Sequence, residues 1–404
     1  MLRRAAAATP LLFALTLAAC TGTSAETEGD TDTAGTDTQS GTDSETTGPD
    51  LTCEGAMIPS FSEASCTPLA SDYQPRVNSS ADDTWAACIS DDDAYHLVEG
   101  TPGSQARIVA YEKIADLLWR NGTPDAAAFT EARDQYVIPE GLESRVVRRE
   151  DLHYDAIPMS EWDPQVDGDK QCTVTANVTK YPDRCVGPSK MSPILVEAFD
   201  MGQQGMGDAD VLAAKIEATL LWFIYASVYK EANTCATEVG KDCDSAWAYY
   251  TGGQDMAGGL GMAKVVLGES AESHARIWDG ILAVRCWRDL YSEGGTYPLL
   301  PDIDQAGNDL FNQGWEQLDQ ALHRGFALVV RERMERMFQN RCNGATTKTD
   351  WAFLQIAGPA LSREANARGA ADGAKLDALW AMDNPTAQDL VDGVTTLDGI
   401  FPCG

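Results

Sequence analysis

The chain has 404 residues, with 62 acidic and 30 basic side chains, and its formal net charge at pH 7 is −32. A charge of this sign repels nucleic acid and anionic bilayer surfaces and attracts cations, metal ions included. The composition therefore argues against a nucleic-acid-binding protein. It favours a metal cation as partner, although acidity also serves solubility alone.

The N-terminus has the pattern of a bacterial export signal. Arg3 and Arg4 precede an apolar stretch over residues 10–19 that is too short to span a membrane. The stretch ends in Leu-Ala-Ala-Cys, which resembles the lipobox of bacterial lipoproteins and implies a signal peptide over residues 1–19 and lipidation of Cys20. We expect a protein of the bacterial cell envelope, on the periplasmic or cell-surface side of the outer membrane, held there by its lipid only.

The next segment, residues 20–50, consists almost wholly of Thr, Ser, Gly, Asp and Glu after the cysteine. Such a composition buries too little apolar surface to offset chain entropy, so it predicts a disordered spacer. Residues 51–404 are long enough for one large domain, and no second linker interrupts them.

Ten cysteines follow Cys20, and none of them forms a Cys-x-x-Cys pair. In an exported chain this even number predicts disulfides rather than zinc or redox chemistry. Sequence cannot decide the connectivity. The nearest local pairings are Cys53 with Cys66, Cys172 with Cys185, and Cys235 with Cys243.

Helix start and stop signals recur through the domain. Ser104 opens a periodic segment that stops at Asn121-Gly122, and Thr123 caps a restart at Pro124. Further signals predict helices over about residues 192–199, 208–232, 269–292 and 301–341, and from Asn384-Pro385. The alternating stretch over residues 172–181 fits a loop or one hairpin, so the fold class is mainly α, a helical bundle stabilised by disulfides.

Two segments of the domain resemble each other. "LLWFIYASVYKEANTC" followed by "AWAYYTGG" is mirrored by "ALVVRERMERMFQNRC" followed by "DWAFLQIAG", 104 to 107 residues later. Each has an apolar helix, a cysteine, a polar loop and a tryptophan at the re-entry into order. The similarity indicates either two related helical halves or a coincidence.

Several ionisable residues fall on apolar helix faces. Glu217 and Glu231 share one stripe of the helix after Asp208, about 21 Å apart, so each needs ligand partners from elsewhere. His274 and His323 lie on apolar stripes of two later helices. Carboxylates and imidazoles that project inward from facing helices are how bundles hold iron. The alternative is that the acids flank the core and reach water, and that the histidines are hydrogen-bonded core residues.

The stretches "YKEANTC", "DSAWAYYTGG", "VRCWRDLY" and "NDLFNQGW" resemble the iron-assimilating, low-iron-inducible periplasmic proteins of algae and their fungal and bacterial relatives. Imelysin-like helical proteins form the wider group. The resemblance implies metal ligation by Glu231, Asp244 and Tyr250, which match the acid at the helix end and the aspartate and tyrosine of the following block. Cys243 and Ser245 depart from that block, which places a tryptophan and a glutamate there.

The sequence therefore predicts a non-enzymatic, lipid-anchored protein that binds iron or another hard cation for uptake or storage. Its candidate ligands are Glu217, Glu231, Asp244, Tyr250, His274 and His323. One rival is an exported all-α glycan hydrolase or lyase with tryptophans such as Trp162, Trp222, Trp278 and Trp315 along an open cleft. The other is a structural surface lipoprotein without a ligand.

Overall fold

A computed structural model describes residues 57–61, 67–139, 141–146, 190–236, 239–295 and 298–402 of the chain. The described residues are mainly helical, as the helix signals predict, and the pairing of Ser292 with Leu299 is an isolated β-bridge. Their α-helices are α1 (Ser104–Leu118), α2 (Ala126–Tyr136), α3 (Glu143–Val146), α4 (Met191–Gln203), α5 (Ala209–Thr234), α6 (Lys241–Thr251), α7 (Met262–Glu269), α8 (Ala271–Leu290), α9 (Gln305–Gln339), α10 (Gly344–Ala360), α11 (Ser362–Arg368), α12 (Ala370–Trp380) and α13 (Ala387–Ile400).

Helix α5 is the central helix of the fold. Asp208 caps it, because its carboxylate accepts hydrogen bonds from the backbone N–H groups of Asp210 and Val211. Its side chains are buried on nearly every face, and α4, α6 and α10 pack around it. By length and composition α5 could cross a membrane, but 89% of its most apolar 18-residue window is buried inside the domain. That burial is the signature of a core helix.

Helices α8 and α9 form the second packed pair of the fold. They approach closely at Gly280, where an added Cβ would lie 2.7 Å from the Cα of Leu318. Only glycine fits such an approach. The helix predicted over residues 269–292 is α8, and it begins at Ala271 because Ser270 adopts an extended conformation, ends α7 and caps α8 by accepting from the Ser273 N–H.

The two similar sequence segments form the same order of elements. In the first, α5 leads through Cys235 into α6, and in the second, α9 leads through Cys342 into α10. Both cysteines are disulfide-bonded. Trp247 in α6 and Trp351 in α10 are buried, and α10 packs against α5.

Two helix starts differ from the sequence prediction. Asp125, not Thr123, caps α2 by accepting from the Ala128 N–H. Thr386, not Asn384, caps α13 in a reciprocal capping box with Asp389. In both cases the helix begins a few residues later than predicted. Only the later capping residue has its side chain placed to reach an N–H of the first turn.

The described residues contain two disulfides between identified partners. Cys235 is joined to Cys243, the local pairing expected from sequence, and Cys88 is joined to Cys286 across a separation of 198 residues. The second bond ties the segment before the 3₁₀ helix Ile89–Asp92 to α8. The predicted signal peptide, Cys20, the spacer, the hairpin over residues 172–181, Cys53, Cys66, Cys172, Cys185 and Trp162 lie outside the described residues.

Candidate functional site

Glu217 lies in an ion-pair network between α5 and α9. Its Oε1 accepts a hydrogen bond from Arg333 Nη2 at 2.6 Å, and its side chain is nearly buried. Arg333 Nη1 lies 3.8 Å from Asp350, and its guanidinium stacks on the ring of Phe353. The charge of Glu217 is therefore balanced by an arginine.

Glu231, at the end of α5, lies beside Asp242. Burial and, next, the negative charge of Glu231 raise the pKa of Asp242 to about 6. The Cys235–Cys243 disulfide closes the turn between the two helices. The clamped turn thus places Glu231 near Asp242, whereas the carboxylate of Asp244 points to a different set of partners.

Asp244 is completely buried and accepts four hydrogen bonds from one segment of the chain. Its Oδ1 accepts from Tyr95 Oη at 3.0 Å and from the Val98 N–H at 2.8 Å. Its Oδ2 accepts from the N–H groups of Glu99 and Gly100 at 2.9 and 3.3 Å. A carboxylate has about four lone-pair positions, so all of them are used. This geometry makes Asp244 the anchor of residues 95–100 and leaves no oxygen for a metal, contrary to the ligand role expected from sequence.

Tyr250 and His274 form a closed hydrogen-bonded chain. His274 Nε2 lies 2.9 Å from the Met256 carbonyl, which can only accept, so Nε2 carries the proton. His274 Nδ1 then accepts from the Tyr250 hydroxyl at 2.9 Å. Burial lowers the pKa of His274 and raises that of Tyr250. Both ring nitrogens are occupied, so this pair is a satisfied core contact and also departs from the expected ligand role.

His323 is the predicted ligand that the structure brings together with other ligand types. Among the described residues, one group of His, Cys, Asp and Glu side chains places a ligand atom of each member within 4.8 Å of the others: Asp319, His323 and Glu364. Asp319 and His323 come from one face of α9, and Glu364 comes from the first turn of α11. The other five predicted residues do not belong to this group.

The hydrogen bonds of His323 define its free nitrogen. Nδ1 donates to the Asp319 carbonyl at 2.7 Å, which leaves the lone pair of the neutral ring on Nε2. Glu364 Oε2 lies 3.8 Å from Nε2. A histidine that donates one N–H to a carbonyl and presents the other nitrogen is oriented as metal-binding histidines are.

Arg368 forms an ion pair with one oxygen of each carboxylate in the group. Its Nε donates to Glu364 Oε1 at 2.6 Å, and its Nη2 lies 4.0 Å from Asp319 Oδ2. The other two oxygens, Glu364 Oε2 and Asp319 Oδ1, are the ones nearest His323. Asp319 Oδ1 lies 3.0 Å from His323 Nδ1 but is buried without a hydrogen bond. The group therefore offers two carboxylate oxygens and one imidazole nitrogen.

Aromatic residues surround this group. The rings of Tyr225 and Tyr229 on α5 meet His323 edge-on, with centroids 5.5 and 6.0 Å away, and the Phe401 ring lies nearly parallel to it, with centroids 6.2 Å apart. Burial and, next, the charge of Asp319 raise the pKa of Tyr225. The aromatic walls limit access of water to His323, whose side chain is only 3% exposed.

Sequence reasoning missed Asp319 and Glu364. The sequence does contain a signal for Asp319, since this residue precedes His323 by four positions and so shares its helix face. Glu364 had none, because it lies in a seven-residue helix that comes near α9 only through the fold.

Comparison with protein-family models, with curated proteins and with solved structures finds no match for this chain. The resemblance to low-iron-inducible periplasmic proteins therefore stays a prediction.

Proposed function

We propose that this domain binds a hard divalent or trivalent metal cation through Asp319, His323 and Glu364, and that the protein carries or stores the cation without transforming it. The observation that carries the proposal is the convergence of ligand atoms of the three side chains within 4.8 Å, with Asp319 Oδ1 buried and without a hydrogen bond. A buried carboxylate oxygen without a hydrogen bond is costly, and a cation would satisfy it.

The donor set narrows the choice of metal. Carboxylate oxygens suit Mg²⁺, Ca²⁺ and Mn²⁺, whereas imidazole suits zinc, iron, nickel and copper. A mixed set favours iron, manganese or zinc. Iron is our preferred cargo, because carboxylates and imidazoles that project from facing helices are the ligands with which helical bundles hold iron. The net charge of the chain would draw cations toward it.

The cellular role follows from the N-terminal segment. A lipidated Cys20 and an acidic spacer would hold the domain in the bacterial envelope, where it would take part in iron uptake or storage. The glycan-cleaving alternative gains no support from the described tryptophans. Trp222 and Trp278 are buried in the core, and Trp315 packs against Tyr229.

The test is calorimetric titration of the full chain with Mn²⁺, Zn²⁺ and, without oxygen, Fe²⁺. We expect Glu364→Gln and His323→Gln to weaken binding by at least about 100-fold, since losing even an outer-shell partner of a metal ligand costs about 10- to 100-fold. Glu231→Gln is the matched control, because it removes a predicted ligand outside the group, and it should bind normally.

Thermal unfolding checks that the variants are folded. Saturating cation at about 100 times its dissociation constant should stabilise the native chain by about 2.7 kcal/mol and should not stabilise Glu364→Gln. A native chain that binds none of the three cations would refute the proposal. Equal loss of binding in Glu231→Gln would move the site to the end of α5.

A further inference from the structure

A second site lies beside α8, α9 and α11. A cavity of about 200 Å³ opens there, and its lining includes Ser273, Arg276, Gln320, Arg324 and Arg368. A single ordered water needs about 10–15 Å³ of such a volume, so the cavity has room for a small organic molecule.

Residues that line the cavity carry hydrogen-bond donors that have no acceptor. Arg276 Nε and Nη1, Arg324 Nε and the Ser273 hydroxyl are all buried and without a hydrogen-bond partner. The side chains of Ser273 and Arg324 are more than nine-tenths buried, so bulk water does not satisfy them. Buried polar groups are nearly always paired, and unpaired groups of one kind on one cavity point to a missing ligand.

The existing ion pairs of the arginines do not use these donors. Arg276 Nη2 pairs with Glu272 at 2.8 Å, but its Nη1 is 3.8 Å from Asp279, too far for a hydrogen bond. Arg324 uses Nη1 for Asp398 and for the Phe401 carbonyl, so its Nε remains open. The carboxylates thus hold the guanidinium groups in place, and the remaining edges stay unpaired.

We infer that this cavity binds a small anion through carboxylate or phosphate oxygens. The unpaired atoms of Arg276 and Arg324 can only donate, so the complementary ligand presents acceptors, and guanidinium matches the two-oxygen geometry of a carboxylate or phosphate. Asp72, which also lines the cavity, accepts a hydrogen bond from the Leu69 N–H.

The unpaired donors of the anion site do not belong to the proposed cation site, but Arg368 touches both sites. Arg368 lines the cavity and also bridges Glu364 and Asp319. An anion in the cavity would compete for Arg368 with these carboxylates. The anion site is therefore tested on the full chain after removal of metal with a chelator and dialysis.

Calorimetric titration with inorganic phosphate and, separately, with succinate distinguishes a phosphate ligand from a carboxylate ligand. We expect one of them to bind, and we expect Arg276→Gln and Ser273→Ala each to weaken that binding, by about 10- to 100-fold for the arginine. Arg120→Gln is the matched control, because it removes a partly buried, ion-paired arginine that does not line the cavity. Its affinity should equal that of the native chain.

His323→Gln separates this inference from the proposed function, since it should lose cation binding and keep anion binding. Binding of succinate alone identifies a carboxylate ligand, and binding of phosphate alone identifies a phosphate ligand. The inference is overturned if neither anion binds, or if Arg276→Gln and Ser273→Ala bind as the native chain does. Either result would mean that water fills the cavity.

Discussion

Replacement of Asp244 by alanine removes the anchor of residues 95–100. The carboxylate accepts four hydrogen bonds from that segment and is completely buried. Without it, three backbone N–H groups and the Tyr95 hydroxyl lose their acceptor in a place that water does not reach. The stacking of Tyr95 on Trp247, with ring centroids 4.7 Å apart, would lose its support as well.

The size of the effect follows from the hydrogen bonds. A hydrogen bond to a charged group contributes about 1.5–3 kcal/mol, and a buried donor left without an acceptor costs about 1–3 kcal/mol. These contributions do not add fully when the groups are neighbours. We therefore expect Asp244→Ala to lower the free energy of unfolding by about 3–5 kcal/mol. Asp244→Asn should cost less, since one amide oxygen still accepts from Tyr95 and Val98.

The assay is urea unfolding followed by far-ultraviolet circular dichroism with disulfides intact. Asp242→Asn is the matched control on the same helix. The pKa of Asp242 is raised to about 6 by burial and the charge of Glu231, so at pH 7 its charge opposes folding and its removal should leave stability equal or higher. Hydrogen exchange at Val98, Glu99 and Gly100 should accelerate only in the Asp244 variants.

Two outcomes would contradict the role of Asp244 as an anchor. If Asp244→Ala unfolds at the same urea concentration as the native chain but loses cation binding, the carboxylate is a metal ligand and its four hydrogen bonds are not what holds it. Equal destabilisation by Asp242→Asn would show that any change at the start of α6 has this effect.

The remaining predictions concern pH and the disulfides. Asp279 is fully buried, and burial raises its pKa from 3.8 to about 6, so the folded chain holds this proton more tightly. Stability should therefore fall by up to about 3 kcal/mol as pH rises from about 4 to 6, and Asp279→Asn should remove that part of the pH dependence of urea unfolding. Replacing Cys88 and Cys286 by serine should cost about 5 kcal/mol, against about 2.5 kcal/mol for Cys235 and Cys243, because the first pair closes 198 residues and the second closes 8.

Each of these has a result that would count against it. An Asp279→Asn curve parallel to the native one between pH 4 and 6 would mean that Asp279 titrates normally despite its burial. If the two double serine variants lost stability equally, loop closure in the unfolded chain would not explain the difference between the bonds.

The sequence by itself determined the mainly α class and several of the helices. Helix periods and caps act within a few residues, so the start of α5 at Asp208 and the placement of His323 on an apolar face could be predicted from local chemistry. The closure of Cys235 on Cys243 is local in the same sense.

Only the tertiary structure decided what the buried charges do. The carboxylate of Asp244 accepts its hydrogen bonds from a segment almost 150 residues earlier in the chain. Glu364 reaches His323 because α11 folds back on α9. Helix periodicity tells which side chains point inward but not which inward atoms meet. The partner of a buried carboxylate is therefore set by packing between elements distant in sequence, and that partner decides between an anchor and a ligand.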